Sequence, residues 1–317
     1  MSLLKKIIIY LRPIRYFLRL FFHSPKYLHQ KITVDFKKDS IAKKIKKNFH
    51  IVWCAGLPKS GTTLIENILS QLPMVQGNNS MLRIYDNSNL DHVHGITENM
   101  FKKFPRNKIT YVKTHSHFSE KYIDIANKYN SKIIISLRDI RDAMISRYFH
   151  VKNDKTFLRH NLLKDLNFKE GFILSLSQSL NRDYDAIDWQ TSDGNFKKPI
   201  EYYYKWIENW KNFAEKNENC LILWFEDYVK DPKKYINKII KHLEFDSIDV
   251  DELYLKLESN KKFLKKRNLE ENLNLIEPQT FRKGTYGDWK TVLDEEILEK
   301  FYSFLPGDIS KIEYKNQ

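Results

Sequence analysis

Residues 51–72 have the sequence IVWCAGLPKSGTTLIENILSQL, in which an apolar stretch is followed by a loop containing glycine and proline and then by a helical pattern. A strand is predicted at Ile51–Cys54, because an uninterrupted apolar run is typical of a strand buried on both faces. Gly56 and Gly61 lie in the loop, and a helix is predicted at Thr63–Leu72. The order of strand, phosphate-sized loop and helix is that of an anion-binding loop at a helix N-terminus.

The loop Gly56–Thr63 nearly matches the nucleotide-binding pattern G-x-x-x-x-G-K-[ST], but Thr62 stands at the usual lysine position and the lysine is Lys59. Backbone N–H groups of such a loop can still surround an anion. We expect Lys59 to place a positive charge near a bridging oxygen, and Ser60, Thr62 and Thr63 to add hydroxyl donors. The pattern by itself leaves an ordinary glycine-containing turn equally open.

Strand and helix patterns alternate along the rest of the chain. Strands are predicted at Ile109–Thr114, Ile133–Leu137 and Leu221–Phe225, and helices at Phe118–Tyr129 and Ile200–Asn217. Such alternation favours a parallel sheet covered by helices. The predicted fold class is therefore α/β, a P-loop-type three-layer fold with a central parallel sheet flanked by helices.

The polar segment 152–198 contains Asp193-Gly194 and several Asn and Ser residues. It is expected to be irregular and to form a substrate-facing loop or lid.

The amino-acid composition limits the classes of protein to which the chain can belong. The chain has 317 residues, of which 42% are hydrophobic, so it can fill one large core. Its two cysteines, Cys54 and Cys220, both lie in apolar runs, which argues against a disulfide framework and favours the reducing cytoplasm. The formal net charge of +14 implies attraction to anions, although a solvated lysine-rich surface would explain part of it equally well.

The N-terminus is predicted to be separate from the main domain. Residues 1–49 are interpreted as a basic amphipathic extension and linker, and residues 50–317 as the domain. Within residues 2–24, basic side chains interrupt the apolar pattern, so no run approaches the roughly 20 residues of a membrane span. A helix here would suit peripheral membrane contact or packing against its own domain, and the sequence leaves both open.

Several segments resemble, in the same order, the motifs of the sulfotransferases that use 3′-phosphoadenosine 5′-phosphosulfate (PAPS). The similarity covers roughly residues 50–302. The first and last motifs are individually distinctive, and the middle ones gain weight from their order. The matching segments are Pro58–Thr63, Lys113-Thr114-His115, Arg138–Asp142 continuing to Ser146, Phe225-Glu226-Asp227 with Asp231-Pro232, and Arg282-Lys283-Gly284 with Gly287–Lys290.

The resemblance implies a sulfotransferase that transfers the sulfuryl group of PAPS to an acceptor hydroxyl or amine, with no metal expected. The implied donor-binding residues are Lys59, Ser60, Gly61, Thr62 and Thr63 on the 5′ side, Arg138, Ser146, Arg282, Lys283 and Gly284 at the 3′-phosphate, and Phe225 near the adenine. Three positions depart from the family pattern, and at one of them Phe225 replaces a frequent tyrosine. Leu64 replaces a tryptophan that many members place against the adenine, and Gly287 replaces the lysine of a short dimer motif, so we infer no dimer and leave the oligomeric state open.

The resemblance also implies the catalytic roles. His115 is expected to take the acceptor proton, Lys59 to neutralise the leaving oxygen, and Lys113 to stabilise the sulfuryl oxygens. His117 is a rival base, and the residues alone do not choose between the two histidines. The pair His92 and His94 is interpreted as part of a surface strand rather than a metal site.

Two other functions compete with this interpretation. A P-loop kinase or nucleotide hydrolase is disfavoured by Thr62 at the lysine position and by the lack of a convincing magnesium-binding carboxylate at a strand end. A non-enzymatic basic protein that binds nucleic acid or membranes would leave the ordered motifs unexplained, so no nucleic-acid partner is expected. The acceptor is not readable from the sequence, and a small molecule, a lipid and a carbohydrate all remain open.

Overall fold

The computed structural model describes residues 47–77, 96–153, 159–177, 198–259 and 284–315. The strands within these ranges are β1 (Ile51–Gly56), β2 (Val75–Gly77), β3 (Ile109–Thr114), β4 (Lys132–Leu137) and β5 (Cys220–Trp224). The helices are α1 (Thr62–Gln71), α2 (Glu98–Lys102), α3 (Glu120–Lys128), α4 (Ile140–Asn153), α5 (His160–Leu163), α6 (Phe168–Ser177), α7 (Pro199–Ala214), α8 (Phe225–Lys230), α9 (Pro232–His242), α10 (Trp289–Val292) and α11 (Glu295–Ser303). Residues 250–259 are also helical, and Ile309–Lys311 form a 3₁₀ turn.

The described strands form one parallel sheet in the order β2-β3-β1-β4-β5. The predicted α/β fold with a central parallel sheet is confirmed, and the predicted strand bounds agree with the structure to within one or two residues. The sequence places Phe225 at the end of a strand, whereas in the structure it begins α8.

Helices cover the sheet on both faces because successive side chains of a strand point to opposite sides. In β1, Ile51, Trp53 and Ala55 pack into a core with α4, α6, α7 and α11. Val52 and Cys54 point the other way, into a core with α1 and α9. Each of these five β1 side chains is buried, so β1 lies at the centre of a three-layer structure.

Both cysteine thiols are free and buried, as their apolar surroundings predict. Burial raises the pKa of the Cys220 thiol to about 12, and burial also raises the pKa of the Cys54 thiol. Neither thiol is therefore a reactive nucleophile at neutral pH.

The expectation that segment 152–198 is irregular is wrong for α5 and α6. Phe168, Phe172 and Leu176 recur every four residues and place one apolar face of α6 against α4. The ring of Phe168 stacks on Phe149 of α4 at a centroid distance of 5.7 Å and an interplanar angle of 15°. The apolar periodicity therefore produces a helix here, although the segment as a whole is polar. Residues 154–158 and 178–197 lie outside the described residues.

Other predictions also fall outside the described ranges: the N-terminal extension up to residue 46, and the histidine pair His92 and His94. Within the part of the chain that the structure describes, no helix has the length and apolar character needed to cross a membrane.

Candidate active site

Four loops meet at the carboxyl edge of the sheet. The register sets Ala55 of β1 opposite Thr114 of β3, and Gly56 of β1 opposite Ser136 of β4, while Leu137 of β4 pairs with β5. The residues that follow these strands are therefore neighbours in space. In open parallel sheets this edge is where ligands bind.

The loop after β1 has the backbone geometry of an anion cradle. Lys59 and Gly61 adopt positive φ angles of 72° and 90°, and such left-handed turns direct successive N–H groups to one side. A Cβ atom on Gly61 would lie 2.9 Å from Cδ2 of Phe225, so glycine is required for space as well as for conformation. Gly61 is also the N-cap of α1, and no side chain caps that helix end or places an acid in its first turn. The positive end of the α1 dipole thus faces the loop.

Ser60 has a different environment from the one expected. Its side chain is fully buried, and its hydroxyl lies 2.6 Å from the carbonyl oxygen of Leu57 and 2.8 Å from that of Ser136. The Ser136 hydroxyl donates in return to the carbonyl of Ser60. Because a hydroxyl has one proton, the Ser60 O–H is used inside the protein to hold the loop against β4. Thr62, which is buried, and Thr63, which is half-buried, begin α1 beside the loop.

Positive charge converges on the loop at Lys59. Burial, followed by the nearby charges of Arg138 and Arg147, lowers the pKa of the Lys59 ammonium to about 8. Both arginines are themselves more than nine-tenths buried. Three partly desolvated cations close to one another favour the binding of an anion.

Arg138 connects the predicted binding segments. Its Nη1 donates to the carbonyl of Lys59 at 3.3 Å, and its Nη2 donates to the carbonyl of Thr285 at 3.0 Å. Its guanidinium carbon also lies 4.7 Å from the centroid of the Phe225 ring, a cation–π distance. The loop after β1, the start of α8 and the C-terminal segment are thus brought together around one side chain.

The side chain of Glu226 stabilises the turn that carries Arg138, and it is 1% exposed. Its Oε1 accepts the backbone N–H of Asp139 at 2.9 Å. Burial raises the pKa of this carboxyl to about 7.

The remaining predicted 3′-phosphate residues are only partly within the described chain. Ser146 is buried on α4, two turns after Arg138. Gly284 has a φ of 71° and is exposed next to Thr285. Arg282 and Lys283 lie outside the described residues.

His115 directly follows β3 and contacts the end of β1, the strand that leads into the loop Gly56–Thr63. Its Nδ1 lies 2.7 Å from the carbonyl oxygen of Gly56. A carbonyl can only accept, so Nδ1 must carry the proton, and in the neutral imidazole Nε2 is then the basic nitrogen. This is the tautomer that a general base requires.

His117 is bonded to its neighbour in the chain and packs against α7. Its Nδ1 donates to the carbonyl of the adjacent Phe118 at 3.1 Å, and its ring lies 5.6 Å from that of Tyr202 on α7. The hydrogen bond of His115, by contrast, is to β1, the strand that leads into the loop Gly56–Thr63.

Lys113, the third predicted catalytic residue, forms an ion pair with Glu66 of α1, at 2.5 Å between Nζ and Oε2. Both side chains are about a third exposed. The structure therefore places Lys113 on the α1 side of the sheet, with a carboxylate partner that the sequence motifs did not indicate.

Sequence reasoning missed the aromatic face of α7, which holds the loop after β3. The hydroxyl of Tyr202 and the indole N–H of Trp206 both donate to the carbonyl of His115, at 3.1 and 3.4 Å. Trp210 donates to the carbonyl of Ser116 at 3.3 Å. Tyr202, Trp206 and Trp210 recur every four residues, a helical spacing that predicts a common face but not what that face contacts.

A metal site is not evident in the part of the chain that the structure describes, where no three His, Cys, Asp or Glu side chains cluster suitably for an ion.

Comparison with known proteins gives a consistent family. The model of the sulfotransferase domain matches residues 50–310. Sulfotransferase 2A6 of Mus musculus is 29% identical over 263 residues, which are 77% of this chain and 80% of that protein. The 3-alpha-hydroxysteroid sulfotransferase of Cavia porcellus is 26% identical over 267 residues, covering 77% of this chain and 79% of the relative.

A solved structure, mouse sulfotransferase SULT7A1 complexed with PAP, superposes with a TM-score of 0.55 at 18% identity and covers 83% of this chain and 85% of that one. At this identity the likeness shows a shared fold. The family model, however, spans most of the sequence and all the strands that carry the site. The chain belongs to the sulfotransferase family.

Proposed function

We propose that this sulfotransferase transfers the sulfuryl group of PAPS to a hydroxyl group of a small-molecule acceptor, with His115 as the general base. The observation that carries the donor assignment is the position of Arg138 between the carbonyls of Lys59 and Thr285. PAPS has two separated anionic ends, and Arg138 joins the two segments that would bind them. A structural relative was solved with PAP, the product that PAPS leaves after transfer.

On the 5′ side, the N–H groups of Gly61, Thr62 and Thr63 and the Lys59 ammonium bind the phosphosulfate, while the Ser60 N–H donates to the carbonyl of Leu57 within the loop. Gly61 allows the close approach, Thr62 and Thr63 supply hydroxyls, and Ser60 shapes the loop through its own hydrogen bonds.

At the 3′-phosphate, the binding groups are Arg138 and Ser146 together with the C-terminal segment Arg282–Gly284. The Phe225 ring, beside Gly61 and Arg138, offers the adenine an apolar face.

The reaction is an in-line displacement at sulfur. Nε2 of His115 removes the acceptor hydroxyl proton, the acceptor oxygen bonds to sulfur, and the bond from sulfur to the bridging oxygen breaks. PAP leaves with the electron pair, and Lys59 stabilises the charge that develops on its oxygen. Lys113 remains the candidate for the sulfuryl oxygens, acting from its ion pair with Glu66. None of these steps needs a metal ion.

The acceptor class is supported by the guinea-pig relative, whose name specifies a hydroxysteroid. A small hydroxylated molecule such as a steroid is therefore preferred over the carbohydrate and acyl-chain lipid acceptors that the sequence leaves open. Membrane contact through residues 2–24 and location in the cytoplasm stay predictions.

Transfer from labelled PAPS to pools of steroids, phenols, sugars and lipids tests the reaction and the acceptor class together. We expect label in the hydroxylated small-molecule pool with stoichiometric PAP release. Label only in the sugar or lipid pool would contradict the acceptor class. Tighter binding of ATP than of PAP, with phosphate release, would instead support a kinase or hydrolase.

The donor site is tested by the double variant Arg282→Ala with Lys283→Ala. A charge-assisted contact contributes about 1.5–3 kcal/mol, or at least about tenfold in affinity, and only the 3′-phosphate would receive it. We expect calorimetry to show a large loss for PAP and little for AMP, which lacks that phosphate. Lys300→Ala with Lys311→Ala removes the same charge from exposed positions elsewhere and serves as control. Equal losses for PAP and AMP would contradict the assignment of this segment.

A further inference from the structure

The first turn of α4 contains a fully buried carboxylate that the proposed reaction does not use. Asp142 is 0% exposed, and both of its oxygens accept backbone N–H groups from one short C-terminal segment. Oδ2 accepts from Gly287 at 2.6 Å, and Oδ1 accepts from Trp289 at 3.0 Å. Hydrogen bonds to an ionised acceptor are about twice as strong as those between neutral groups.

The segment is shaped to receive this carboxylate. Gly287 has a φ of 78°, in the left-handed region that side chains other than glycine rarely adopt. The space around its Cα is open, so the requirement for glycine here is conformational and not steric. Burial raises the pKa of Asp142, and the two amide hydrogen bonds oppose that rise by favouring the ionised form.

Arg141, the residue before Asp142, makes a second contact with the same segment. Its guanidinium carbon lies 3.8 Å from the centroid of the Trp289 ring. Asp139 holds the guanidinium in place through hydrogen bonds of 2.8 Å to Nε and 2.6 Å to Nη2. The guanidinium of Arg141 is thus held in place by a contact that does not involve the loop.

Together with the hydrogen bond of Arg138, these contacts are evenly spaced along the C-terminal segment. Arg138 binds the carbonyl of Thr285, Asp142 binds the N–H of Gly287, and Asp142 and Arg141 together hold Trp289. Every second residue of the segment 285–289 is therefore attached to the turn that also carries Arg138.

We infer that Asp142 is a positioning residue that docks the C-terminal loop on α4 and so determines how tightly the enzyme holds the 3′-phosphate of its donor. The inference rests on the proposed function, because Arg282, Lys283 and Gly284 immediately precede the docked segment. Arg138 also bonds to the carbonyl of Lys59, so the docked loop and the 5′ loop share one side chain. Both oxygens of Asp142 are bonded to N–H groups of the loop, so Asp142 acts through the loop.

The test is Asp142→Asn, which keeps the size of the side chain but replaces one acceptor oxygen by an NH₂ group facing an N–H. We expect PAP affinity to fall at least tenfold and AMP affinity to fall less than threefold. Asp294→Asn is the matched control. Asp294 caps α11 by accepting the N–H of Ile297 at 2.8 Å, a role in which asparagine serves equally well, so neither affinity should change.

A second arm separates positioning from general stability. In the Arg282→Ala, Lys283→Ala background, Asp142→Asn should lower the ratio of PAP to AMP affinity by less than about threefold, because two of the groups that it positions are gone and only Gly284 remains. A further tenfold fall of that ratio in this background would overturn the inference, and so would an unchanged ratio for Asp142→Asn alone. If Asp142→Asn does not fold, Gly287→Ala decides, since it strains the docked loop at an open surface site and should lower the same ratio.

The outcomes distinguish this inference from the proposed function. If the double variant itself leaves the ratio unchanged, the C-terminal loop is not the 3′-phosphate site, and both that assignment and the docking role of Asp142 are wrong, whereas transfer from labelled PAPS tests the reaction separately. If the double variant lowers the ratio and neither Asp142→Asn nor Gly287→Ala does, only the docking role of Asp142 is wrong.

Discussion

Replacement of His115 by asparagine would remove its basic nitrogen and little else. The Nδ1–H of His115 donates to the carbonyl of Gly56 at 2.7 Å, and the amide NH₂ of asparagine can reach nearly the same place. Alanine would lose this hydrogen bond too, at a cost of about 0.5–1.5 kcal/mol to the folded state. Asparagine therefore separates the chemistry of Nε2 from the structural role of Nδ1.

The expected effect is on rate. A positioned general base contributes about 10²–10⁴-fold, which corresponds to about 2.7–5.4 kcal/mol of transition-state stabilisation at 1.36 kcal/mol per decade. PAP affinity should change by less than about threefold, because the base contacts the acceptor and not the donor. Single-turnover transfer from labelled PAPS and calorimetric binding of PAP measure the two quantities on the same preparation.

His117→Asn is the matched control, since its Nδ1 also donates to a carbonyl, that of Phe118. We expect it to lose less than about tenfold in rate. A near-normal rate for His115→Asn would refute the assignment, as would a loss of PAP affinity as large as its loss of rate. A larger effect for His117→Asn would make His117 the base.

Two pH-dependent properties follow from the site. The Lys59 ammonium, with a pKa of about 8, loses its charge as the pH rises from 7 to 9.5, so PAP affinity should fall over that range in calorimetric titrations. Lys59→Arg keeps its charge and should show a flatter profile, whereas equal profiles would contradict the role of Lys59. Burial raises the pKa of Glu226 from 4.5 to about 7, so its contribution to stability is complete below about pH 4.5 and is lost as the pH rises through 7, by about 3 kcal/mol. Glu226→Gln should flatten the pH dependence of the thermal midpoint between pH 5 and 8, and an unchanged slope would mean that another group titrates.

Much of the sheet was predictable because parallel strands are buried on both faces. Ile109–Thr114 is found with the predicted bounds, since β-branched and aromatic side chains, which favour strands, make up most of this segment. The conformation of the loop Gly56–Thr63 was predictable because its glycine spacing meets a backbone requirement that other residues rarely meet. The positions of His115 and Arg138 followed from the rule that loops at the carboxyl edge carry the ligands.

The rest depends on contacts between distant parts of the chain, which local patterns do not encode. The spacing of Tyr202 and Trp206 predicts a helical face, but only the packed structure directs that face at the carbonyl of His115. The partner of Lys113, Glu66, lies 47 residues away on another element. Strand β2, with three residues, is too short for any periodicity to mark it.

The central position of β1 has a consequence for how the chain is made. β1 is the first described strand to leave the ribosome, yet its two neighbours in the sheet are β3 and β4. β3 pairs with one edge of β1 and β4 with the other. Until residue 137 has been synthesised, β1 therefore lacks a partner strand on at least one edge, and Trp53 and its apolar neighbours are uncovered. A nascent chain in this state presents an unpaired, apolar strand edge, the feature most prone to wrong pairing. The same topology that places the donor loop at the centre of the sheet thus makes early shielding of β1 a condition of productive folding.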